Sequence, residues 1–405
     1  MPVLSIGQAL GPGSSSCGYC RPPEHRRSIN ETSYKKAGLL AVKLSCNVYQ
    51  RMIDRGWRRS GKYCYSPDLR RSCCPQYTIK LDALEYKPSR SQRKVVNRWN
   101  RYILDSDNKQ PQSSTKQLSF SLQSSIHASE DSFKSTERAA HKFEVKLEPA
   151  SYSDEKYALY RRYQSQIHQD PDSSSTGFKN FLVQSPLVPE PIPYADSSNV
   201  PRHLPRDYGS YHQLYRLDDE LIAVGVIDIL PFCVSSVYFF YDAKWEKYSL
   251  GKLSAMREAS LIQEMHAAGA QTMDSLYMGF YIHSCPKMRY KGEYSPSYLA
   301  DPEEFTWYPL NSCISKLEQY RYATFRYPEH SLEGSGDPGE EGPATAIPNQ
   351  SLSDVKVVNS IEEGVVYVIP VIASDHWKNG LLRNEFTSCI RALGVDLAKE
   401  ITFYA

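Results

Sequence analysis

Apolar residues alternate with polar ones most regularly between Tyr211 and Tyr241. The runs Tyr211 to Arg216, Leu221 to Ile229 and Val234 to Tyr241 read as strands, joined by short turns such as Asp218-Asp219-Glu220. The period then changes. Leu250, Leu253, Met256, Leu261 and Met265 recur at helical spacing and predict a helix over Leu250 to His266, followed by a strand over Ser275 to Ile282. Antiparallel strands, a helix and a further strand make a layered α/β arrangement. Upstream, Val48 to Gly56 reads as a short helix stopped by its glycine, Gln76 to Leu81 as a strand and Ser91 to Leu104 as a helix. Lys142 to Leu147 alternates as a strand, and Ser153 to Gln169 reads as a helix.

Between these patterned stretches the composition changes. Residues 105–139 are rich in Ser, Gln, Lys and Asp with few apolar positions and are expected to be a disordered linker. A Pro- and Ser-rich stretch leads to about Pro205, and Gly, Pro and Glu cluster in a flexible linker at 329–352. The 405 residues therefore divide into a unit at 14–104, a larger one at 140–328 with its core at 207–320, and a small strand-and-helix appendage at 353–405. The longest apolar run, Leu221 to Leu230, is interrupted by Asp228 and is too short to span a bilayer. A soluble protein of cytosol or nucleus, with no membrane partner, is expected.

The formal net charge is only +2, so any polyanion must be met by a local patch. From Arg51 to Arg101 there are fourteen Lys and Arg against four Asp and Glu, a balance suited to a phosphate backbone. Arg93, Lys94, Arg98 and Arg101 spread this charge over one predicted helix. Two cysteine pairs flank the same region: Cys17-x-x-Cys20 and the adjacent Cys73-Cys74. Four thiolates suit either tetrahedral zinc or an iron–sulfur cluster, and ligand type alone does not separate the two. Buried small hydrophobes or redox thiols are the plainer alternatives. Adjacent side chains on a strand point apart, so Cys73 and Cys74 reach one metal only if the chain turns there, as Pro75 allows. Cys46 and Cys64 are weaker ligand candidates.

Asp228 sits inside the apolar run and requires a cationic or hydrogen-bonding partner if buried. Tyr277, Tyr281 and His283 share one strand face by the period of two and suit a core as well as a site. Trp57, Arg58, Arg59 and Lys62 lie among Gly56 and Gly61, where backbone can approach a ligand closely; a solvated charged face is the bland alternative.

Long residue strings carry a resemblance. Cys17-Gly18-Tyr19-Cys20, the run Ile53-Asp54-Arg55-Gly56-Trp57-Arg58-Arg59-Ser60-Gly61-Lys62-Tyr63 leading to Cys73-Cys74-Pro75-Gln76-Tyr77, Ala223 to Pro231, and Tyr277 to Lys291 together resemble the eukaryotic arginyl-tRNA–protein transferases. These enzymes append arginine to acidic protein N-termini. The resemblance implies an α+β protein: an N-terminal cysteine-rich metal-binding domain plus a C-terminal domain similar to the acyl-CoA N-acyltransferase (GNAT-like) fold. It implies arginyl-tRNA as donor, acceptor proteins beginning with Asp, Glu or oxidised Cys, a monomeric enzyme, and products marked for ubiquitin-dependent degradation. Zinc or an iron–sulfur cluster at Cys17, Cys20, Cys73 and Cys74 is the implied cofactor, with no CoA. A CoA-dependent rival of that fold needs a glycine-rich pyrophosphate loop, and Ser249 to Leu253 has one glycine. A metal-stapled RNA-binding adaptor is the non-enzymatic rival.

The implied reaction is attack of the acceptor's α-amine on the arginyl ester, with the ribose hydroxyl leaving. Free α-amines have pKa values of about 7.7–8.0, so positioning supplies much of the acceleration. In this reading Asp228 receives the arginyl guanidinium or orients the amine, with Tyr238 and Tyr241 lining the same cleft. Tyr281 or His283 moves the proton. Trp57, Arg58, Arg59 and Lys62 hold the tRNA backbone or the acceptor carboxylate, and Lys287, Arg289 and Lys291 hold phosphates of the tRNA terminus.

Overall fold

A computed structural model describes residues 3–19, 32–104, 120–133, 139–334, 347–363 and 365–404. It is a mixed α/β protein, and the chain separates into two compact units, each assembled from distant stretches: 1–80 with 185–189 and 279–405, and 81–184 with 190–278. The units therefore do not coincide with the consecutive blocks 14–104 and 140–328.

The first unit is built on a sheet whose strands run, edge to edge, Val365–Pro370, Lys356–Glu362, Ile401–Tyr404, Ser5–Ser15, Tyr34–Lys43, Tyr63–Pro67 and Arg58–Ser60. Ser5–Ser15 pairs antiparallel with Tyr34–Lys43 and parallel with Ile401–Tyr404, Ser5 opposite Ile401. Its sequence, with Gly7, Gly11, Pro12 and Gly13, is poor in strand formers, and pairing on both sides supplies what local propensity lacks. Residues 353–405 are consequently no appendage. Ile401–Tyr404 lies within the sheet, and helix Gly380–Leu393 buries Phe386 edge-on against Phe403, ring centroids 5.8 Å apart.

Helix Cys46–Asp54 starts where the Ser45 side chain accepts a 3.1 Å hydrogen bond from the Val48 N–H, and it stops before Gly56. Gly56 has φ +82°, a left-handed conformation that a side chain would strain. That turn delivers Trp57 into the interior.

The second unit is an antiparallel meander in the order Phe143–Pro149, Asp207–Leu217, Glu220–Ile229, Cys233–Tyr241. The tight hairpin at Asp218 and Asp219 holds both residues at positive φ, the twist that two-residue hairpins favour. Helix Leu250–Ala267 follows, then strand Ser275–Tyr281, whose first residues pair parallel with Cys233–Ser235. The predicted order of elements is thus observed from Phe143 to Tyr281. One sheet face is covered by Leu159, Tyr160 and Tyr163 of helix Asp154–Tyr163 with Phe178 and Leu182, packed on Leu214, Val224, Val226 and Phe240. Gly225 points the other way, toward Ser254 of helix Leu250–Ala267.

The expected linker at 105–139 needs correction in its described part, 120–133. Helix Leu122–His127 forms there behind a Ser121 cap, Asn100 donates to the Ser125 carbonyl at 2.7 Å, and His127, Ser129 and Glu130 are buried. Its composition is that of a linker because much of what it buries is polar: His127 and Glu130 are held by ion pairs, while Leu122 and Ile126 supply the apolar contacts. Residues 105–119, 134–138 and 335–346 lie outside the described residues. Among the described residues no helix is long and apolar enough to cross a membrane.

Candidate functional site

Two strings separated by some two hundred residues meet in the first unit. Cys73, Cys74 and Ile282 form one buried cluster, against which Cys17, Tyr19, Cys285 and Met288 pack. The sulfur atoms of Cys17, Cys73 and Cys74 lie within 4.8 Å of one another, close enough to share a metal ion. Cys20 lies outside the described residues.

The adjacent cysteines converge because the chain bends at 72–74, as their spacing requires. The bend is held from several sides: the Cys73 N–H donates to the Ser33 carbonyl at 3.0 Å, and the Ser72 hydroxyl accepts from the Lys35 N–H at 3.1 Å. Buried Arg321 donates to the carbonyls of Ser72 at 2.7 Å and Arg70 at 3.1 Å. Nothing local in the sequence marks Arg321 for this task. The Tyr19 N–H donates to the Cys17 sulfur at 3.4 Å, the kind of contact that supports a thiolate ligand. Burial, with Tyr65 and the neighbouring thiols adding to it, pushes the Tyr19 hydroxyl up to about 12. Three convergent thiols, two of them buried, fit a thiophilic metal or an iron–sulfur cluster.

The strand end beside this cluster carries Tyr281 and His283, joined by a 2.9 Å hydrogen bond between the phenol oxygen and Nδ1. Tyr281 is buried, which pushes its hydroxyl up, while His283 is half-exposed, its Nε2 3.9 Å from Glu318. Of this pair, His283 is the member open to a substrate. Lys287 and Arg289 are exposed on the one-turn helix Pro286–Arg289 that follows.

Several expected contact residues are structural instead. Trp57 is fully buried and donates from its indole N–H to the Ala392 carbonyl at 3.1 Å. Arg58 is 7% exposed; it donates to the carbonyls of Trp57, Ile53 and Gly279 at 2.6, 3.1 and 3.0 Å, and its guanidinium lies 4.8 Å from the Phe280 ring centroid. Arg59 is also buried, donating to the Gly61 carbonyl at 3.3 Å. Lys291 is 8% exposed and donates to the Phe280 carbonyl at 2.7 Å. Burial, then the positive charge of Arg58, lowers its ammonium to about 7. A lysine held inside cannot serve a phosphate backbone. In a sequence these cations look like a surface patch because guanidinium and ammonium groups satisfied by backbone carbonyls leave no local signal. Lys62 of this stretch is exposed.

Two basic concavities replace the expected patch in this unit. One, of about 400 Å³, is lined by Tyr19, Tyr34, Lys36, Tyr63, Tyr65 and Gln76. Tyr63 and Tyr65 stack at 6.0 Å, and the Lys36 ammonium lies 5.3 Å from the Tyr63 centroid. Aromatic faces beside a cation suit a stacked base and its phosphate. The spacing of two between Tyr34 and Lys36, and between Tyr63 and Tyr65, was the available signal for this surface.

The second concavity, of about 570 Å³, is lined by Arg55, Arg70, Arg71 and Arg391 with Asp68 and Asp301. Both acids are engaged. Asp68 pairs with Arg71 at 2.6 Å, and Asp301 accepts from the N–H groups of Glu303, Glu304, Phe325 and Arg326. The Nε of Arg55 is buried without a hydrogen-bond partner among the described residues, and its guanidinium lies 4.3 Å from the Phe305 centroid.

In the second unit, Asp228 is 0% exposed and accepts from the Ser210 hydroxyl at 2.7 Å. Of the two partners its burial demands, a hydrogen-bonding one is therefore present. By the strand period Asp228 shares its face with Val226 and so with half-buried Tyr238, whose hydroxyl accepts from Gln164 at 2.9 Å. Tyr241 packs at the rim of the same aromatic cluster.

The comparisons with known proteins supply first a class, that of aminoacyltransferase enzymes. Residues 15–94 match the family model described as arginine-tRNA-protein transferase, N terminus, and residues 155–301 match the corresponding C terminus. Arginyl-tRNA–protein transferase 1 of Drosophila melanogaster is 34% identical over 79% of this chain and 85% of that protein. The Saccharomyces cerevisiae protein of the same name is 35% identical over 62% of this chain and 48% of its own length. An aspartate/glutamate leucyltransferase of Pseudomonas fluorescens is 28% identical over 62% of this chain and 80% of that protein. The chain belongs to the arginyl-tRNA–protein transferase family.

Proposed function

We propose that this enzyme transfers arginine from arginyl-tRNA to the α-amino group of proteins with an acidic N-terminal residue. The observation that carries the reading is the meeting of the cysteine string with the Tyr277 to Lys291 string in one buried cluster, within a chain of this family. The acidic acceptor is supported by the name of the Pseudomonas relative, which specifies aspartate and glutamate. It is supported also by the concavity lined by Arg55, Arg70, Arg71 and Arg391, whose guanidinium groups suit a carboxylate. Exposed Lys287 and Arg289 take phosphates of the tRNA terminus, and the tyrosine concavity around Lys36 takes a base.

His283 is the proton carrier for the amine, oriented through its Nδ1 by Tyr281. Asp228 acts through the sheet: its bond from Ser210 holds strand Asp207–Leu217 to strand Glu220–Ile229, which pairs on its other side with the strand that presents Tyr238. The short parallel pairing of Cys233–Ser235 with the next strand after a helix supports likeness to the N-acyltransferase fold. Cys17, Cys73 and Cys74, with Cys20, hold zinc or an iron–sulfur cluster; bound there, the metal supplies rigidity to the loop that packs against Ile282.

The test is incubation of the purified full chain with radiolabelled arginyl-tRNA and peptides beginning with Asp, Glu or Ala. Label on the acidic peptides alone supports the reading. Equal label on all three removes the acidic specificity, and absence of label from folded, metal-loaded protein removes the activity.

A further inference from the structure

The second unit holds a cluster of ligand-type side chains that the transfer reading does not use. His127, at the end of helix Leu122–His127, His203, in the turn after Val200, and Glu264, on helix Leu250–Ala267, come from three segments far apart in sequence. The Nε2 of His127 lies 3.0 Å from Oε1 and 3.1 Å from Oε2 of Glu264, and the Nε2 of His203 lies 2.7 Å from Oε2. We propose that His127, His203 and Glu264 form a site for one divalent transition-metal ion of the zinc class.

The ligand chemistry is the first ground. Two imidazole nitrogens and one carboxylate oxygen are a set that zinc accepts, with a fourth position left for water. Ligand atoms around a tetrahedral ion with bonds of about 2.0–2.1 Å stand roughly 3.3 Å apart. The two histidine–carboxylate separations therefore need to open by only a few tenths of an ångström to admit the ion, and all three ligand atoms already lie within 4.8 Å of one another.

The surrounding shell is the second ground. Glu130 faces the Nδ1 of His127 at 3.2 Å, which fixes the ring so that Nε2 is turned toward Glu264. Arg257 grips both oxygens of Glu130 and is itself buried. The Ser260 hydroxyl donates to Glu264 at 2.7 Å. Phe133 stacks on His127 with centroids 3.9 Å apart and meets His203 edge-on at 5.0 Å, so both rings are restrained. A cavity of about 300 Å³, lined by these three ligands with Arg202, Tyr211 and Gln213, opens onto the cluster and leaves room for the water. His127 and Glu264 are buried, and His203 closes the site from the surface. An ion held there ties helix Leu122–His127 and the turn at His203 to helix Leu250–Ala267, so its role is structural.

The experiment separates this ion from any metal on the cysteines. The full chain carrying Cys17→Ser, Cys20→Ser, Cys73→Ser and Cys74→Ser is stripped with a chelator and titrated with Co²⁺, then with Zn²⁺. The expected result is one tightly bound equivalent of Co²⁺ with visible d–d absorption and no sulfur-to-cobalt charge-transfer band, displaced by Zn²⁺ with a rise in Tm. His203→Ala, at a half-exposed turn, loses both the equivalent and the rise. Should the cysteine variant not fold, the native-cysteine chain is compared with its own His203→Ala form, which is expected to bind one equivalent less. Absence of a sulfur-free Co²⁺ equivalent, or metal binding unchanged by His203→Ala, overturns the proposal and leaves the cluster as a network of ion pairs.

Discussion

Lys291→Met separates a phosphate-binding lysine from a buried one. In the fold the ammonium is pressed down to about 7 by burial and by Arg58, against 10.5 as its ordinary value. Between these two values the unfolded chain binds the proton and the folded chain releases it, so stability rises with pH across that window. The lysine's full contribution is present above 10.5 and is lost progressively as the pH falls to 7. At pH 7.5 the difference amounts to about 4 kcal/mol against the folded state. Methionine removes that penalty, while the Phe280 carbonyl loses its 2.7 Å donor, a loss of about 1–2 kcal/mol. A net gain of about 2 kcal/mol is therefore expected at pH 7.5, shrinking as the pH approaches 10. Urea unfolding of wild type and variant at several pH values reads this difference directly. A tRNA-binding titration in salt completes the assay. Lower affinity with the salt slope reduced by about one, and no gain in stability, would refute the buried assignment.

Glu258 is buried on helix Leu250–Ala267, its pKa raised by burial to about 7. Its contribution is present below the ordinary 4.5 and lost as the pH rises through 7, so Glu258→Gln is expected to stabilise by about 3 kcal/mol at pH 8 and by less than about 1 kcal/mol at pH 5, measured by denaturant unfolding. Trp57→Ala should cost about 3–5 kcal/mol by the same method, since it empties a fully buried site and leaves the Ala392 carbonyl without its indole donor, yet leave the tRNA affinity of the folded fraction unchanged. Lys287→Ala and Arg289→Ala should each weaken tRNA binding and lower the salt slope by about one without shifting the unfolding midpoint. Asp228→Asn retains an acceptor for Ser210 and should preserve arginine transfer within a few-fold, whereas Asp228→Ala should cost about 1–3 kcal/mol of stability; abolished transfer in a folded Asp228→Asn chain would restore a direct role for the charge.

Strand and helix periods made the order from Phe143 to Tyr281 legible, because its apolar runs are regular and of element length, even where a strand such as Glu220–Ile229 is buried on both faces. The strand Ser5–Ser15 escaped, since its glycines and proline carry no such repeat and its pairing partners, Tyr34–Lys43 and Ile401–Tyr404, come from far along the chain. Helix Leu122–His127 escaped for a related reason: besides Leu122 and Ile126 it buries His127, and the turn after it buries Glu130, polar groups whose partners sit more than a hundred residues away.

By itself the sequence determined the family, through strings long enough to be specific, and it singled out cysteines of which Cys17, Cys73 and Cys74 converge closely enough to share a metal ion. The tertiary structure alone decided which cations are free. Arg58, Arg59 and Lys291 are drawn inward by backbone carbonyls, Lys62, Lys287 and Arg289 remain outside, and one-dimensional charge counting treats all six alike. The structure also decided that Cys73 and Cys74 meet Ile282, and that two histidines and a glutamate converge in the other unit. Convergence of distant side chains is a property of packing, and no local pattern encodes it.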